Sequence, residues 1–194
     1  MVNMPDMKPW AKLSGRVVGD FRIFSLVEEE FLRPAVDGRA EKTHPFYVIL
    51  SCDWVNVVPI TPQGRVLLIR QFRSGTEEIT IEVPGGMVES TDVDPAETAR
   101  RELEEESGYQ AERIIPLRSV RPNPAILRNW CHLFMATGVR PVGNMNWDEG
   151  EEVRPFEATW DEVDELVRSG AINHSIVLNA LASARQYLDA SVHP

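Results

Sequence analysis

The strongest constraint on the fold is a strand that ends in two glycines and leads into a helix with clearly marked ends. The stretch "ITIEVPGG" (79–86) has the branched residues and closing glycines typical of a strand followed by a tight loop. Asp94 is a good N-cap, Pro95 suits the first helical position, and Gly108 favours a left-handed helix end. Glu97, three residues after the cap, is placed like a capping-box partner. We therefore expect a strand–loop–helix unit here.

Strand patterns lie on both sides of this unit, and further helices follow near the end of the chain. This order predicts an α/β sandwich in which helices flank a mixed sheet. The expected strands are 46–50, 54–60, 65–72, 113–120, 132–139 and 152–159, and the later helices are 160–170 and about 175–189.

The first 45 residues differ from the rest of the chain because they mix aromatic, branched and charged residues and have little core of their own. "FRIFSLVEEEFLRP" (21–34) has strand-like spacing, and "AVDGRAEK" after it indicates a turn. We expect a β-rich arm over residues 1–45 and the main domain over 46–194. Packing on a partner would hide the strand edges of this arm, so we expect a homodimer.

Composition argues against several classes of protein. The net charge of -10 argues against nucleic acid held by bulk electrostatics, since phosphate backbones need clustered Lys and Arg. No apolar run approaches the roughly 18 residues needed to cross a bilayer, and the N-terminus lacks the features of a secretory signal. Only Cys52 and Cys131 are present, which suits a reducing compartment. We expect a cytoplasmic protein that binds neither nucleic acid nor membrane.

Three glutamates of the predicted helix, Glu102, Glu105 and Glu106, fall within one arc of about 100°. Ala99 and Leu103 occupy the neighbouring arc, so the three carboxylates border the buried face. Like charges repel one another at the edge of a core, and a bound divalent cation removes that cost. Hard oxygen ligands of this kind suit Mg²⁺ or Mn²⁺. The alternative interpretation of the same residues is a solvated acidic face.

The loop and the helix together resemble the Nudix box. "RELEEESGY" (101–109) matches the helical half of that motif, except that Tyr109 replaces the usual aliphatic residue. The loop half is one residue longer than the family's, so Val93 stands where the family has a glutamate eight residues before the arginine. Asp92 and Glu89 are the two candidates for the role of that glutamate.

More of the chain, roughly residues 46–185, is similar to the ADP-ribose and nucleotide-sugar pyrophosphatases of this family. "VLLIRQFRSGTEEITIEVPGG" carries their Gln-aromatic-Arg strand and Glu-X-Pro-Gly-Gly loop, and Pro124 stands sixteen residues after Gly108. The resemblance implies the Nudix α/β/α sandwich and a homodimer that exchanges N-terminal arms. It also implies hydrolysis of ADP-ribose or a related nucleoside diphosphate sugar to a nucleoside monophosphate and a sugar phosphate. The loop "RPNPAILRNW" (121–130), which the resemblance implies would touch the terminal sugar, differs from the usual text of ADP-ribose enzymes. GDP-mannose or another such sugar therefore stays open.

The resemblance also assigns roles in a metal site. It implies that Glu102 and Glu106 bind Mg²⁺ or Mn²⁺ directly and that Glu105 completes or bridges the site. Gly85 would add its backbone carbonyl oxygen. Arg101 would orient the glutamates, and the alternative for Arg101 is an ordinary surface pair with Glu105.

Other candidates would bind the substrate or activate the attacking water. Arg73 has the guanidinium fork that suits phosphate oxygens, and Glu82 is expected to touch the nucleotide or to support a residue that does. "DEGEEVRP" (148–155) resembles the acidic loop that supplies a late glutamate in this branch. We expect Glu151 to accept the proton of the attacking water, with Glu149 as the alternative.

Two other functions stay open. A house-cleaning hydrolase of nucleoside triphosphates or dinucleoside polyphosphates would use the same chemistry, but the Gln-Phe-Arg strand, Pro124 and the N-terminal arm weigh against it. A non-catalytic sensor of ADP-ribose-like ligands typically loses glutamates of the box, whereas this chain keeps all three. The four histidines are scattered without ligand spacing, so we expect no zinc site.

Overall fold

The computed structural model describes residues 3–5, 7–143, 145 and 152–192, and it divides into two compact units. The first unit consists of Met1–Ser51 together with Asn123–Asn129. The second consists of Cys52–Pro122 and Trp130–Pro194. The loop 123–129 therefore groups with the N-terminal residues, although it lies between two strands of the second unit in the sequence.

The first unit is built on three antiparallel strands, β1 (Ala11–Asp20), β2 (Ser25–Arg33) and β3 (Lys42–Leu50). β3 pairs with β2 over its whole length, from Lys42 opposite Arg33 to Leu50 opposite Ser25. The expected division at residue 45 thus falls inside a continuous strand, and the N-terminal sheet extends to Leu50. β1 lies at one edge of this sheet.

The segment Asn123–Asn129 is attached to β3 by backbone hydrogen bonds. The Ile49 N–H donates to the carbonyl oxygen of Ile126 at 2.8 Å, and the Arg128 N–H donates to the carbonyl oxygen of Ile49 at 3.1 Å. The sequence predicted that this part of the chain would touch a terminal sugar, and that contact stays a prediction.

A buried carboxylate in β2, that of Glu29, strengthens the attachment. Both of its oxygens accept hydrogen bonds from the Arg128 guanidinium, one of them from Nη1 at 2.9 Å, and Lys12 also donates to it. The hydrogen bonds from Arg128 outweigh the effect of burial and, with Lys12, lower the pKa of Glu29 to about 2. The ion pair between Arg128 and the buried Glu29 therefore holds the segment on the sheet.

The second unit contains a seven-stranded sheet, a short two-stranded ribbon and three helices. The sheet has the order β12-β5-β4-β10-β9, with β6 paired to β5 and β7 paired to β4. No helix in the described ranges is long and apolar enough to cross a membrane. The strands are β4 (Trp54–Ile60), β5 (Val66–Arg73), β6 (Glu78–Glu82), β7 (Gly85–Met87), β8 (Tyr109–Gln110), β9 (Arg113–Val120), β10 (Cys131–Thr137), β11 (Arg140–Pro141) and β12 (Val153–Ala158), and the helices are α1 (Pro95–Ser107), α2 (Trp160–Arg168) and α3 (Ser175–Val192).

Helices cover both faces of the sheet. Helix α1 packs on one face, in a cluster that includes Leu67 and Leu103, and helices α2 and α3 pack on the other, in a cluster that includes Leu68 and Leu181. β10 runs parallel to β4, whereas the other neighbouring strands are antiparallel. The expected α/β/α sandwich with a mixed sheet is confirmed.

We predict that Glu29→Gln lowers the free energy of unfolding by about 2 kcal/mol at pH 7, because it removes charged hydrogen bonds from a buried position. The folded pKa of Glu29, about 2, lies below its ordinary value of 4.5. Its contribution is therefore fully present above about pH 4.5 and is lost as the pH falls towards 2. Urea unfolding at several pH values should show the variant and the wild type converging in acid.

Glu30→Gln is the matched control, because Glu30 neighbours Glu29 on β2 but is exposed, and its carboxylate accepts from the Ser14 hydroxyl at 3.1 Å. An equal loss of stability in the two variants would contradict the role given to Glu29.

Candidate metal and substrate site

The glycine loop reaches the middle of the sheet because β4 and β5 diverge. These two strands pair only at Ile60 and Val66, beside the turn that joins them, and the stretch from β6 to β7 fills the gap between them. A Cβ at Gly85 would overlap the backbone carbonyl of Val55. A Cβ at Gly86 would overlap the carboxylate of Glu102. Glycine at both positions therefore lets the loop lie against β4 on one side and α1 on the other.

Helix α1 begins and ends as the sequence predicts. The Asp94 side chain caps it by accepting from the N–H groups of Ala96 and Glu97, and Gly108 ends it in the left-handed region with φ of 69°. The expected capping box was wrong. The Glu97 carboxylate accepts from the N–H of Val93 at 3.2 Å, one residue before the cap, so it fixes the end of the loop.

Of the three candidate glutamates of α1, Glu102 and Glu106 lie against the glycine loop, and Glu105 is bonded to Arg101. Glu106 is buried and accepts a hydrogen bond from the N–H of Gly85 at 2.8 Å. Glu102 and Glu105 each place a carboxylate oxygen 2.9 Å from Nη1 of Arg101. The structure thus brings together Gly85 and the glutamates that the sequence predicted as metal ligands.

Arg101 is the cation at the centre of this group. Its guanidinium also contacts Asp92 and the carbonyl oxygen of Met87, both at 3.4 Å. Burial would lower the pKa of Arg101, but Glu102, Glu105 and Asp92 raise it above the ordinary value, so the group stays charged. A surface pair with Glu105 alone does not describe these contacts.

Of the two candidates for the missing loop glutamate, Asp92 makes the closer contacts with Arg101. Its side chain accepts from the N–H of Glu89 at 3.0 Å, from the hydroxyl of Thr98 at 2.8 Å and from Arg101. The bond from the Glu89 N–H, with Thr98 and Arg101, outweighs burial and lowers the pKa of Asp92. Asp92 is 11% exposed, whereas Glu89 is 60% exposed and 3.9 Å from the guanidinium. Residues 89–92 form a turn in which the Asp92 N–H donates to the Glu89 carbonyl oxygen at 3.1 Å.

The residues at the loop fit a hard divalent cation. Three carboxylates and the backbone oxygens of a glycine loop are the donors that Mg²⁺ and Mn²⁺ prefer, and a cation would offset their mutual repulsion. In the described part of the chain no three acidic, histidine or cysteine side chains already converge on one point. The glutamates are instead held by Arg101 and by the N–H of Gly85.

A cavity of about 550 Å³ adjoins the glycine loop on the second unit. Its wall combines an apolar and aromatic side with a charged side, as ligand cavities commonly do. It is lined by Trp54, Val55, Asn56, Arg73, Gly75, Thr76, Thr80, Glu82, Val83, Gly85, Gly86, Met87, Asn173, His174, Ser175 and Ile176.

The charged side of the cavity is organised by the buried carboxylate of Glu82. Arg73 donates to it twice, from Nε and Nη2 at 2.8 Å each, and the Thr80 hydroxyl donates at 2.6 Å. Nδ1 of His174 lies 3.2 Å from Oε2. Burial would raise the pKa of Glu82, but the bonds from Arg73, His174 and Thr80 hold it well below its usual range. Glu82 is therefore an anion that accepts donors on both oxygens.

Glu151, the predicted base, and its alternative Glu149 lie outside the residues that the structure describes. Conversely, His174 was missed by the sequence interpretation, which found only scattered histidines. It immediately precedes α3 and is 92 residues from its partner Glu82, so no local spacing connects the two.

Comparison with known proteins identifies the family of this chain. The family model for the NUDIX domain matches residues 52–181. The chain is 34% identical over 135 residues to the methanol dehydrogenase activator of Bacillus methanolicus, covering 69% of this chain and 70% of that protein. It is 32% identical over 149 residues to the ADP-ribose pyrophosphatase of Bacillus subtilis strain 168, covering 76% and 77%. The chain belongs to the NUDIX family, and the expectation drawn from the box is confirmed.

A solved structure shows the same fold. The crystal structure of an ADP compounds hydrolase superposes with a TM-score of 0.82 at 20% identity, covering 97% of this chain and 98% of that one. At this identity the likeness supports the fold alone.

We predict that Asp92→Asn weakens binding of Mn²⁺ about tenfold, since partners that orient metal ligands typically affect affinity by 10- to 100-fold. Asparagine keeps an acceptor for the Glu89 N–H but removes the charge that faces Arg101. The measurement is the Mn²⁺ concentration that produces half of the maximal rise in melting temperature. Glu89→Gln is the matched control, and a larger effect from Glu89 than from Asp92 would reverse our assignment.

Proposed function

We propose that this protein hydrolyses the diphosphate bond of ADP-ribose or a related nucleoside diphosphate sugar, giving a nucleoside monophosphate and a sugar phosphate. The observation that carries the proposal is the continuity of the carboxylate-lined glycine loop with a cavity that holds Arg73. Similarity to the ADP-ribose pyrophosphatase of Bacillus subtilis also supports the proposal. The expectation of a hydrolase is confirmed at the level of the family.

Each part of the site has a task in this reaction. Glu102, Glu105 and Glu106, with the carbonyl oxygen of Gly85, would hold Mg²⁺ or Mn²⁺. When bound, such an ion acts as a Lewis acid on the diphosphate and lowers the pKa of water. Arg101 keeps two of the carboxylates in place from the side of the loop.

Arg73 is the candidate for contact with the substrate phosphates. Its guanidinium is held by two hydrogen bonds to Glu82, so the cation is presented in a fixed orientation beside the cavity. Glu82 then acts on the substrate through Arg73, because its own oxygens already accept bonds from Arg73, Thr80 and His174.

A panel assay tests the proposal. We expect ADP-ribose to be cleaved to AMP and ribose 5-phosphate with Mg²⁺ and not with EDTA, and ADP-glucose, GDP-mannose, NADH and a dinucleoside polyphosphate complete the panel. Preference for the dinucleoside polyphosphate or for nucleoside triphosphates would favour a house-cleaning hydrolase. Binding of ADP-ribose without product under any metal condition would favour a sensor.

We propose that the base is Glu151, in the acidic stretch 148–155 that resembles a loop of the family. The helix glutamates would be occupied by the cation, which makes them poor bases, so a carboxylate from elsewhere in the chain would accept the proton of the attacking water. We predict that Glu151→Gln lowers kcat at least a hundredfold with little change in KM, in line with the 10²–10⁴-fold typical of acid–base catalysis. Steady-state kinetics of Glu149→Gln provide the matched comparison. If only Glu149→Gln shows this loss, the base is Glu149, and if neither does, the base lies outside this loop.

The proposed assembly is a homodimer formed through the N-terminal sheet. β1 is an edge strand and carries the exposed apolar side chains Leu13, Val17 and Val18, which a partner would cover. We predict a dimer by light scattering at micromolar concentration and a shift towards monomer in Val17→Lys. Val167→Lys, at an exposed valine of α2, should leave the mass unchanged. A wild-type monomer would refute the proposal.

The proposed location is a reducing cytoplasm. Cys52 is exposed and Cys131 is buried, and the two form no disulfide. Burial, together with Asp53, raises the pKa of Cys131 to about 12, so its thiol stays protonated. Cell fractionation checks the location, and recovery of the protein outside the cytoplasmic fraction would contradict it.

A further inference from the structure

The pairing of His174 with Glu82 leaves one ring nitrogen for a ligand. Because the pKa of Glu82 is held well below its usual range, the carboxylate is ionised and can only accept hydrogen bonds. Nδ1 of His174, 3.2 Å from Oε2, must therefore carry a hydrogen and donate it. A carboxylate that fixes one ring nitrogen in this way sets the tautomer of the other. In the neutral ring Nε2 is then an acceptor.

The side chain of His174 lies on the wall of the cavity. His174 lines the cavity and its side chain is 35% exposed. Within the described ranges the ring has no hydrogen-bond partner other than Glu82. Its backbone carbonyl accepts from the N–H of Leu178 at 3.0 Å, so the first turn of α3 fixes the residue from behind.

Arg73 and His174 are thus two different groups held by one carboxylate on the same cavity wall. The guanidinium is a permanent cation with donors only, and it suits phosphate oxygens. A neutral imidazole nitrogen is an acceptor without charge, and it suits a hydroxyl group. A phosphate ester of a sugar presents both features close together, an anionic phosphate and neutral hydroxyl donors.

We propose that Nε2 of His174 accepts a hydrogen bond from a ribose hydroxyl of the substrate and makes this chain selective for substrates that carry that hydroxyl. The inference rests on the proposed function, because it identifies which chemical group of the diphosphate sugar the cavity recognises. A site built to bond a hydroxyl discriminates against the analogue that lacks it, since its polar group is then left without a partner.

The test combines His174 variants with ADP-ribose analogues that each lack one ribose hydroxyl. His174→Asn is the central variant, because its amide can still donate to Glu82 while the atom at the position of Nε2 is removed. We expect His174→Asn to lower kcat/KM for ADP-ribose about tenfold, mainly through KM, as loss of one hydrogen bond predicts. With the wild type, we expect kcat/KM for one analogue to be about tenfold lower than for ADP-ribose. With His174→Asn, kcat/KM for that analogue and for ADP-ribose should be equal.

The matched control is His132→Ala. His132 is likewise a partly exposed histidine beside a carboxylate, with Nε2 3.3 Å from Asp53 and a side chain that is 23% exposed, but it does not line the cavity. It should leave the preference between ADP-ribose and every analogue unchanged. Circular dichroism establishes that each variant is folded, and His174→Ala provides a second removal of Nε2.

The outcomes separate this inference from the proposed function. If ADP-ribose is hydrolysed but each analogue loses the same factor in kcat/KM with the wild type as with His174→Asn, the inference is overturned and the proposed function stays intact. An unchanged kcat/KM in His174→Asn would also overturn it, because the residue would then only support Glu82. Calorimetric titration of ADP-ribose and the analogues in EDTA gives the same comparison without turnover. If ADP-ribose binds in a way that depends on the hydroxyl and on His174 but is not hydrolysed, the inference is sustained and the proposed function is not. If ADP-ribose is neither bound nor hydrolysed, the inference and the proposed function are both refuted.

Discussion

The hydrogen bond from the Gly85 N–H to the buried carboxylate of Glu106 is the contact on which the candidate site depends. It joins the strand that fills the gap between β4 and β5 to the last turn of α1. A hydrogen bond to a charged group contributes about 1.5–3 kcal/mol, and a buried carboxylate without it would be strongly unfavourable. The two glycines make the contact possible, because a side chain at either would collide with the backbone of Val55 or with Glu102.

Among the described residues, Arg101 is the cation that offsets the negative charge around this bond. Arg101 contacts Glu102, Glu105 and Asp92, so one guanidinium bonds all three carboxylates. Asp92 in turn is held by the turn over residues 89–92, where it accepts from the N–H of Glu89. The fold of this turn therefore decides which loop acid meets Arg101. A cation bound by these carboxylates would reduce the electrostatic repulsion between them in the folded protein.

The features that the sequence predicted correctly are those set by residues that lie close together in the chain. The caps of α1 and the arc of glutamates depend on residues within one helix, and both were predicted correctly, apart from the reach of Glu97 to Val93. The choice of Asp92 over Glu89 was open in the sequence, because both precede the helix and only the fold of the turn decides which one meets Arg101. Strand β1 was not predicted, since its residues are almost all exposed and lack the alternation that marks a half-buried strand.

Long-range contacts explain what the sequence could not supply. The pair of Glu82 and His174 joins residues from β6 and the start of α3, and nothing near either residue indicates the other. The end of the N-terminal sheet at Leu50 depends on pairing of β3 with β2, which a composition change near residue 45 does not reveal. The attachment of Asn123–Asn129 to that sheet likewise depends on Glu29, far away in sequence.

Direct titration of Mn²⁺, followed by electron paramagnetic resonance, tests the central claim that the carboxylates at the glycine loop form a divalent-metal site. The comparison is between the wild type, Glu106→Gln and Glu104→Gln. Glutamine at 106 keeps an oxygen that can accept from the Gly85 N–H, so the fold is retained while one charge is removed. Glu104 is the control, because its side chain bonds Gln110 at 2.9 Å, away from the loop. The account predicts tight binding in the wild type and Glu104→Gln and at least tenfold weaker binding in Glu106→Gln, whereas equal affinity in all three would contradict it.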